Sequence, residues 1–370
     1  MRAPVRSAGV HAAALRSRSP RRVLTCLADY GLISLPDLSL RDVVLTTYSS
    51  RNPSCLVRFG SGEAYFLKHP SSSEHAVTIR REASIYAALS ESADFRRLAP
   101  RLVRYDPDLP LLVLQAFAGA RSSDPLLISS RSSLLRTARR LGRALALLHA
   151  LPHAGVPPAL TPSAYFLDLP PLGVRAHLST ATTGLVRSVQ HDAALTEVIV
   201  RRREGWHPTA VIHGELKWPH CLLIPPSDDT PGSVRLVDYE FAGAGDPTWD
   251  LGCVIAAYLA SWLSSMPAPV NAPAEMLLAR SALSANDLQQ ALGAFWRAYV
   301  TRRRLPAGDR TAVLEAAVQN AVVRLLWIIF ETCVAREALT DRSVLMLQLA
   351  HNLAERPHEG VRHLLGLPLG

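Results

Sequence analysis

Residues 211–223 read Val-Ile-His-Gly-Glu-Leu-Lys-Trp-Pro-His-Cys-Leu-Leu, and after a turn-rich stretch the chain continues Leu236-Val237-Asp238-Tyr239-Glu240-Phe241. Groups at this spacing suit phosphoryl transfer to a hydroxyl, which needs a carboxylate at the attacking oxygen and cation ligands close by. A loop running into a hairpin meets that need. One ligand stands just before the first strand, another at the end of the second, and antiparallel pairing joins them. Those places hold Glu215 and His220 on one side and Asp238 on the other. Glu215 is the candidate base, and Asp238 and His220 are the candidate metal ligands. Lys217 reads either as a contact to the transferred phosphate or as a solvated surface lysine.

The arrangement resembles the catalytic and metal-binding segments of the aminoglycoside phosphotransferase and choline kinase superfamily. That family's pattern is His-Gly-Asp, four residues, Asn, then a later Ile/Val-Asp with an aromatic next. His213, Gly214, the apolar Leu222-Leu223 and Asp238 match it. Downstream, Gly245-Asp246-Pro247-Thr248-Trp249-Asp250-Leu251 matches the family's Gly-Asp-Pro-x-x-Asp-Leu segment. The resemblance implies ATP with Mg2+ (or Mn2+) as cofactors, a catalytic role for the loop that begins at His213, and Asp250 bracing that loop through its backbone.

Two positions depart from the pattern. Glu215 stands at the catalytic Asp, and the extra methylene moves its oxygens by about 1–1.5 Å, a displacement that costs on the order of 10²-fold in rate. His220 stands at the metal-binding Asn, and imidazole is a poor ligand for Mg2+ but suits Mn2+ or Zn2+ better. Two readings follow: a working kinase, or a pseudokinase that binds a peptide or partner protein without turnover.

These residues need a scaffold, and the amino-terminal part reads as one. Strand-like runs at 43–48, 55–59 and 64–68 are separated by turn residues at 49–54 and 60–63. A helix follows from about 74 to 89, then a hairpin of 102–105 and 111–115. Lys68 closes the third run and is the candidate for contacting nucleotide phosphates. Glu82 shares a helical face with Ile79, Ile85, Tyr86 and Leu89, which points it inward, where a carboxylate needs a cation such as Lys68. The alternative is a surface pair with Arg80 or Arg81, and Glu74 is a weaker substitute for Glu82. No Gly-x-Gly-x-x-Gly loop joins the first two strands. Ser50, Arg51 and Asn52 occupy its place, with backbone amides from 50 to 54 facing phosphate. Gln115, Ala116 and Phe117 form the expected hinge against the adenine edge.

From about residue 119 the texture becomes helical, with helices expected near 131–150 and 184–203 and a helix-rich stretch from 274 to about 355. Strands are expected at 221–224 and 234–239. The fold expected is therefore α+β, a bilobal protein-kinase-like fold with a small antiparallel-sheet N-lobe carrying one helix and a larger, mainly helical C-lobe. Its divisions are a basic, flexible segment 1–28, an N-lobe 29–118, and a C-lobe 119–370 that contains the catalytic loop and metal-binding hairpin.

Apolar residues make up 48% of the chain and charged residues 19%, a balance that favours a globular protein over disorder. The net charge of +9 suits an anionic ligand or partner, and on charge alone a nucleotide, an acidic peptide and nucleic acid all stay open. Residues 1–28 account for six of the arginines, which leaves charge alone behind a nucleic-acid reading. Five scattered cysteines without a CxxC pair point to reduced thiols in a cytoplasmic protein. Prolines at 267, 269 and 273 cut the uncharged run after residue 251 short of a membrane span. His149, His153, Trp249 and Arg201 to Arg203 read as structural: helix ends, core, and a solvated helix end.

Ser50-Arg51-Asn52, Tyr65-Phe66-Leu67-Lys68 and Glu215-Leu216-Lys217-Trp218 look like the phosphotransferase-like proteins of thioamitide and class V lanthipeptide biosynthesis. That likeness implies a Ser or Thr acceptor on a ribosomal precursor peptide and a lyase-like partner protein.

Overall fold

Apolar side chains from five short runs build the first sheet. The computed structural model describes residues 20–34, 43–48, 52–60, 62–73, 75–117, 119–160, 178–226, 232–267 and 274–367. The chain divides into two compact units. The first takes residues 1–120, 224–231 and 235–241; the second takes 121–223, 232–234 and 242–370.

In the first unit, strands β1 (Val43–Tyr48), β2 (Ser54–Phe59), β3 (Ala64–Lys68), β4 (Leu102–Asp106) and β5 (Leu111–Gln115) form one antiparallel sheet in the order β1-β2-β3-β5-β4. Val57, Phe59, Leu67, Leu111 and Val113 fill its core with Val23, Cys26 and Leu27 of helix α1 (Pro20–Asp29). Those three helical residues recur at i, i+3 and i+4, an amphipathic signature. The expectation of a flexible arm through residue 28 therefore fails from residue 20 onward. The rest of that arm, together with Ser50, Arg51 and Glu74, lies outside the described residues. Helix α2 (Ala76–Leu89) buries Ile79, Glu82, Ile85, Tyr86 and Leu89 on one face, and α3 (Ala93–Leu98) follows it.

The second unit opens with β6 (Arg121–Ser122) and α4 (Arg131–Leu148). One helix was expected near 184–203, but the structure has α5 (Thr180–His191) and α6 (Ala193–Glu204). Asp192 divides them because its carboxylate caps the second helix, accepting from the Leu195 N–H at 3.0 Å. β7 (Ala210–Ile212) enters the loop at 213–220, and β8 (Cys221–Ile224), paired with β6, leaves it.

β9 (Ser233–Leu236) ends earlier than the expected 234–239, and within it the chain passes into the first unit. Residues 239–241 form a 3-10 turn against α2, with Tyr239 fully buried between Tyr86 (ring centroids 5.8 Å) and Phe95 (5.2 Å). That aromatic contact carries Asp238 into the first unit, where a C-lobe placement was expected. β10 (Gly243–Gly245) then pairs with β7.

Helix α7 (Pro247–Ser264) is buried along most of its length. The remaining helices are α8 (Ala274–Ala279), α9 (Ala285–Arg303), α10 (Ala307–Cys333) and α11 (Asp341–Glu355), followed by a single helical turn at Pro357–Glu359 that runs into a π-helical turn, Gly360–Leu364. Among the described residues α10 alone is long and apolar enough to cross a membrane, and it packs against α6, α7 and α11 with most of that stretch buried. All five cysteines are free thiols and buried.

Candidate active site

In the first unit three charged groups meet. Lys68, the last residue of β3, donates from Nζ to Glu82 Oε2 at 2.7 Å and pairs with Asp238. The surface pairing of Glu82 with Arg80 or Arg81 is thereby set aside. Glu82 also accepts from the Tyr239 N–H at 3.2 Å, so the α2 carboxylate ties together β3 and the segment after β9. Burial alone would lower the Lys68 ammonium, but Glu82 and Asp238 outweigh it and hold its pKa above the ordinary lysine value. Burial raises the Glu82 carboxyl to about 7 against the pull of Lys68, with Asp238 adding to the rise. Asp238 itself has φ +72°, the left-handed region that costs a non-glycine residue about 1–3 kcal/mol and recurs at functional sites.

Asn52 is buried beside this cluster. Its Nδ2 donates to Glu240 Oε2 and Thr78 Oγ1, both at 2.8 Å. The sequence named Asn52 but not Glu240, although Glu240 sits two residues after Asp238. At the expected hinge, the Gln115 N–H donates to the Arg101 carbonyl at 2.9 Å and the Ala116 N–H to the Ala64 carbonyl at 2.8 Å. Both donors are spent, so adenine recognition by residues 115–117 would fall to carbonyls or to the Phe117 N–H. Arg235 lies over the Phe117 ring at 5.3 Å.

In the second unit the loop after β7 hangs on Asp250, which is fully buried in the first turn of α7. Its Oδ2 accepts from the His213 N–H at 2.7 Å and its Oδ1 from the Gly214 N–H at 2.9 Å. Gly214 has φ +83°, which a side chain there would strain. Trp249, read from sequence as core, also donates from Nε1 to the Gly214 carbonyl at 2.7 Å. His149, read as a helix end, is buried instead: Nε2 lies 3.2 Å from Asp250 Oδ2 and Nδ1 2.9 Å from the Tyr299 hydroxyl. The order of α4, loop and α7 along the chain gave no signal for that three-part contact.

Glu215 follows, ion-paired with Lys217 at 3.1 Å. Burial would raise its pKa, but Lys217, His220 and the buried Arg324 outweigh burial and hold it below the ordinary carboxylate value. Glu215 is therefore ionised at neutral pH, the form a base requires. Lys217 is neither simply solvated nor free, being committed to its neighbour. His220 Nδ1 donates to the Glu215 carbonyl at 2.9 Å. Arg202 was read as part of a solvated helix end. It is largely buried and holds Asp246 at 3.1 Å, which in turn caps α7 through the Thr248 N–H at 2.9 Å.

The two candidate metal ligands differ in kind. Asp238 offers the hard carboxylate oxygen that Mg2+ requires, whereas His220 offers a nitrogen that Mg2+ avoids and Mn2+ accepts. They belong to different units, and among the described residues no three His, Cys, Asp or Glu side chains gather into a metal cluster.

The comparisons with known proteins agree with this picture of the fold. A profile of the phosphotransferase enzyme family matches residues 48–299. A search of curated proteins finds no match. Among solved structures, the amicoumacin kinase hAmiN in complex with AMP-PNP, Ca2+ and Ami aligns with a TM-score of 0.54 at 13% identity, covering 93% of this chain and 96% of that one. A variant of an aminoglycoside 2'-phosphotransferase-IIIa in its GDP complex gives 0.52 at 17% identity, covering 93% and 99%. The AMP complex of LicA, a choline kinase from Streptococcus pneumoniae, gives 0.50 at 14% identity, covering 88% and 95%. At these identities the likeness is one of fold. The family match extends over more than half of the sequence and takes in Lys68, Glu82, the loop at 213–220, Asp238 and Asp250: the chain belongs to the phosphotransferase enzyme family.

Proposed function

We propose that the protein is an ATP-dependent phosphotransferase that moves the γ-phosphoryl group to a hydroxyl, with Ser or Thr of a ribosomally made precursor peptide as the acceptor. The observation that carries the reading is Lys68 held between Glu82 and Asp238. A buried ammonium kept charged by two carboxylates is suited to phosphate oxygens, and a strained Asp beside it suits a cation. Glu215 takes the proton from the attacking hydroxyl, the new O–P bond forms as the bond to the ADP oxygen breaks, and Lys217 steadies the transferred group. A divalent cation, when bound through Asp238, would neutralise phosphate charge. Mn2+ accepts the nitrogen of His220 more readily than Mg2+ does.

The peptide acceptor rests on the short sequence likenesses at 50–52, 65–68 and 215–218, and a lyase-like partner and a cytoplasmic setting go with it. The test is mass spectrometry of Ser- and Thr-containing candidate peptides, their Ala counterparts, and sugar and choline acceptors after incubation with ATP and either metal. Gain of a phosphoryl group on the Ser or Thr peptide supports the reading. Phosphorylation confined to a sugar or choline overturns the peptide part and leaves the phosphotransferase standing.

A further inference from the structure

Helices α4 and α9 pack side by side in the second unit, so closely at Gly142 that a Cβ there would lie 2.4 Å from the Phe295 carbonyl oxygen. α4 carries Arg131, Arg136, Arg139, Arg140 and Arg143 and no acidic residue. α9 adds Arg297, Arg302 and Arg303, with Arg304 next in the chain, and Asp287 is the only carboxylate of the pair. Eight arginines less one aspartate give these two helices +7, and Arg304 just beyond α9 brings the pair to +8, against +9 for the entire chain. Arg131 takes the lone carboxylate at 3.2 Å. Among the described residues Arg136, Arg139, Arg140 and Arg143 form no ion pair.

Those four side chains fall at i, i+3, i+4 and i+7, one stripe about 10 Å long on which each cation neighbours another. Arg136, Arg139 and Arg143 are exposed and Arg140 is half-buried. Like charges at i+3 and i+4 weaken a helix, so folding gives no reason for the stripe. We propose that it docks an acidic segment of a partner polypeptide whose carboxylates recur every third or fourth residue. Guanidinium forks match carboxylates two bonds at a time, and the repeat along the stripe matches that of an acidic helix. No large apolar side chain of either helix is exposed, which argues against a hydrophobic interface. Phe295, Trp296 and Tyr299 are buried, so the surface lacks the aromatic platforms on which single-stranded nucleic acid stacks. The proposal goes beyond phosphoryl transfer and does not depend on which hydroxyl is the acceptor.

The test uses the full chain without nucleotide. Fluorescence anisotropy is read with a labelled peptide of roughly 20 residues bearing Glu at every third or fourth position, long enough to cover the stripe. Its Gln counterpart and a single-stranded oligonucleotide of equal charge serve as competing probes. The acidic peptide is expected to bind best. The triple variant Arg136→Gln, Arg139→Gln, Arg143→Gln should weaken it about tenfold or more with no fall in the melting midpoint, since Gln keeps helix propensity at exposed sites and the repulsion along the stripe is relieved. Arg58→Gln, exposed on β2 of the first unit, should leave binding unchanged. Should the triple variant fail to fold, Arg139→Glu alone should give the same ranking of probes with weaker peptide binding. Equal peptide binding by wild type and the stripe variants, or tighter binding of the oligonucleotide, would overturn the proposal.

Discussion

Lys68 Nζ and Glu82 Oε2 lie 2.7 Å apart, with the Glu82 carboxylate wholly buried and the lysine nearly so. The pair makes a pH-dependent contribution whose sign follows from the pKa of Glu82. Burial raises that carboxyl from an ordinary 4.5 to about 7. The folded protein thus holds the proton more tightly than the unfolded chain does. The contribution is fully present below pH 4.5 and is lost as pH rises through 7. Its span is about 3 kcal/mol. Glu82→Gln removes this titration, so its stability relative to wild type should improve by about that amount between pH 4.5 and 8. Urea unfolding at both ends of the range reads it; a difference independent of pH would show that Glu82 is charged throughout.

Asp250→Ala should damage the second unit more than any change in the loop it holds. Two buried backbone N–H groups, His213 and Gly214, lose their acceptor, along with a contact to His149. Each buried donor left unpaired costs about 1–3 kcal/mol, so the total should reach about 3–5 kcal/mol. Hydrogen exchange should quicken at the amides of His213 and Gly214. Unchanged exchange there would mean the loop is held by something else.

The thiols give a simpler test. Burial raises Cys26 and Cys221 to about 12 and Cys55 to about 11, and it pushes Cys253 up as well. Cys333 is also buried. The folded protein should release less than about one equivalent of thiol to an aromatic disulfide reagent at pH 8, and all five should react in urea. Rapid reaction without denaturant would contradict the packing of α1 on the sheet and of the core beneath the loop.

Much of the scaffold was legible because it is written locally. The short strand-like runs at 43–48, 55–59 and 64–68 and the turn residues between them define β1 to β3, and Glu82 lay on the apolar face of its helix. Contacts made across long separations were not legible. Tyr239 is drawn to Tyr86 and Phe95, and nothing in its own neighbourhood says that the chain must change units there. His149 looks like any helix-end residue until Asp250 and Tyr299 arrive on either side of it. Arg202 stands in a run of three arginines, and only the fold shows that one of them turns inward to Asp246. Helix α1 was missed because its arginines masked the spacing of Val23, Cys26 and Leu27.

Restoring both departures from the family pattern should help Mg2+. In the double variant Glu215→Asp, His220→Asn the carboxylate regains the shorter stem and the ligand regains an oxygen. Turnover with Mg2+ should rise by about 10²-fold relative to wild type, and any preference for Mn2+ should vanish. A fall in Mg2+-dependent turnover in a folded double variant would mean that this loop has adapted to Glu215 and His220.

The central claim is that Glu215 acts as the base in transfer from ATP. Its most direct test follows the γ-phosphoryl label of ATP into a hydroxyl-bearing acceptor peptide, comparing wild type with Glu215→Gln and Lys68→Ala. The account predicts transfer by wild type, a loss of about 10²-fold or more in Glu215→Gln with ATP binding retained, and weakened ATP binding in Lys68→Ala. Undiminished transfer by Glu215→Gln, or a wild-type protein that neither binds ATP nor transfers its phosphate with either metal, would contradict it.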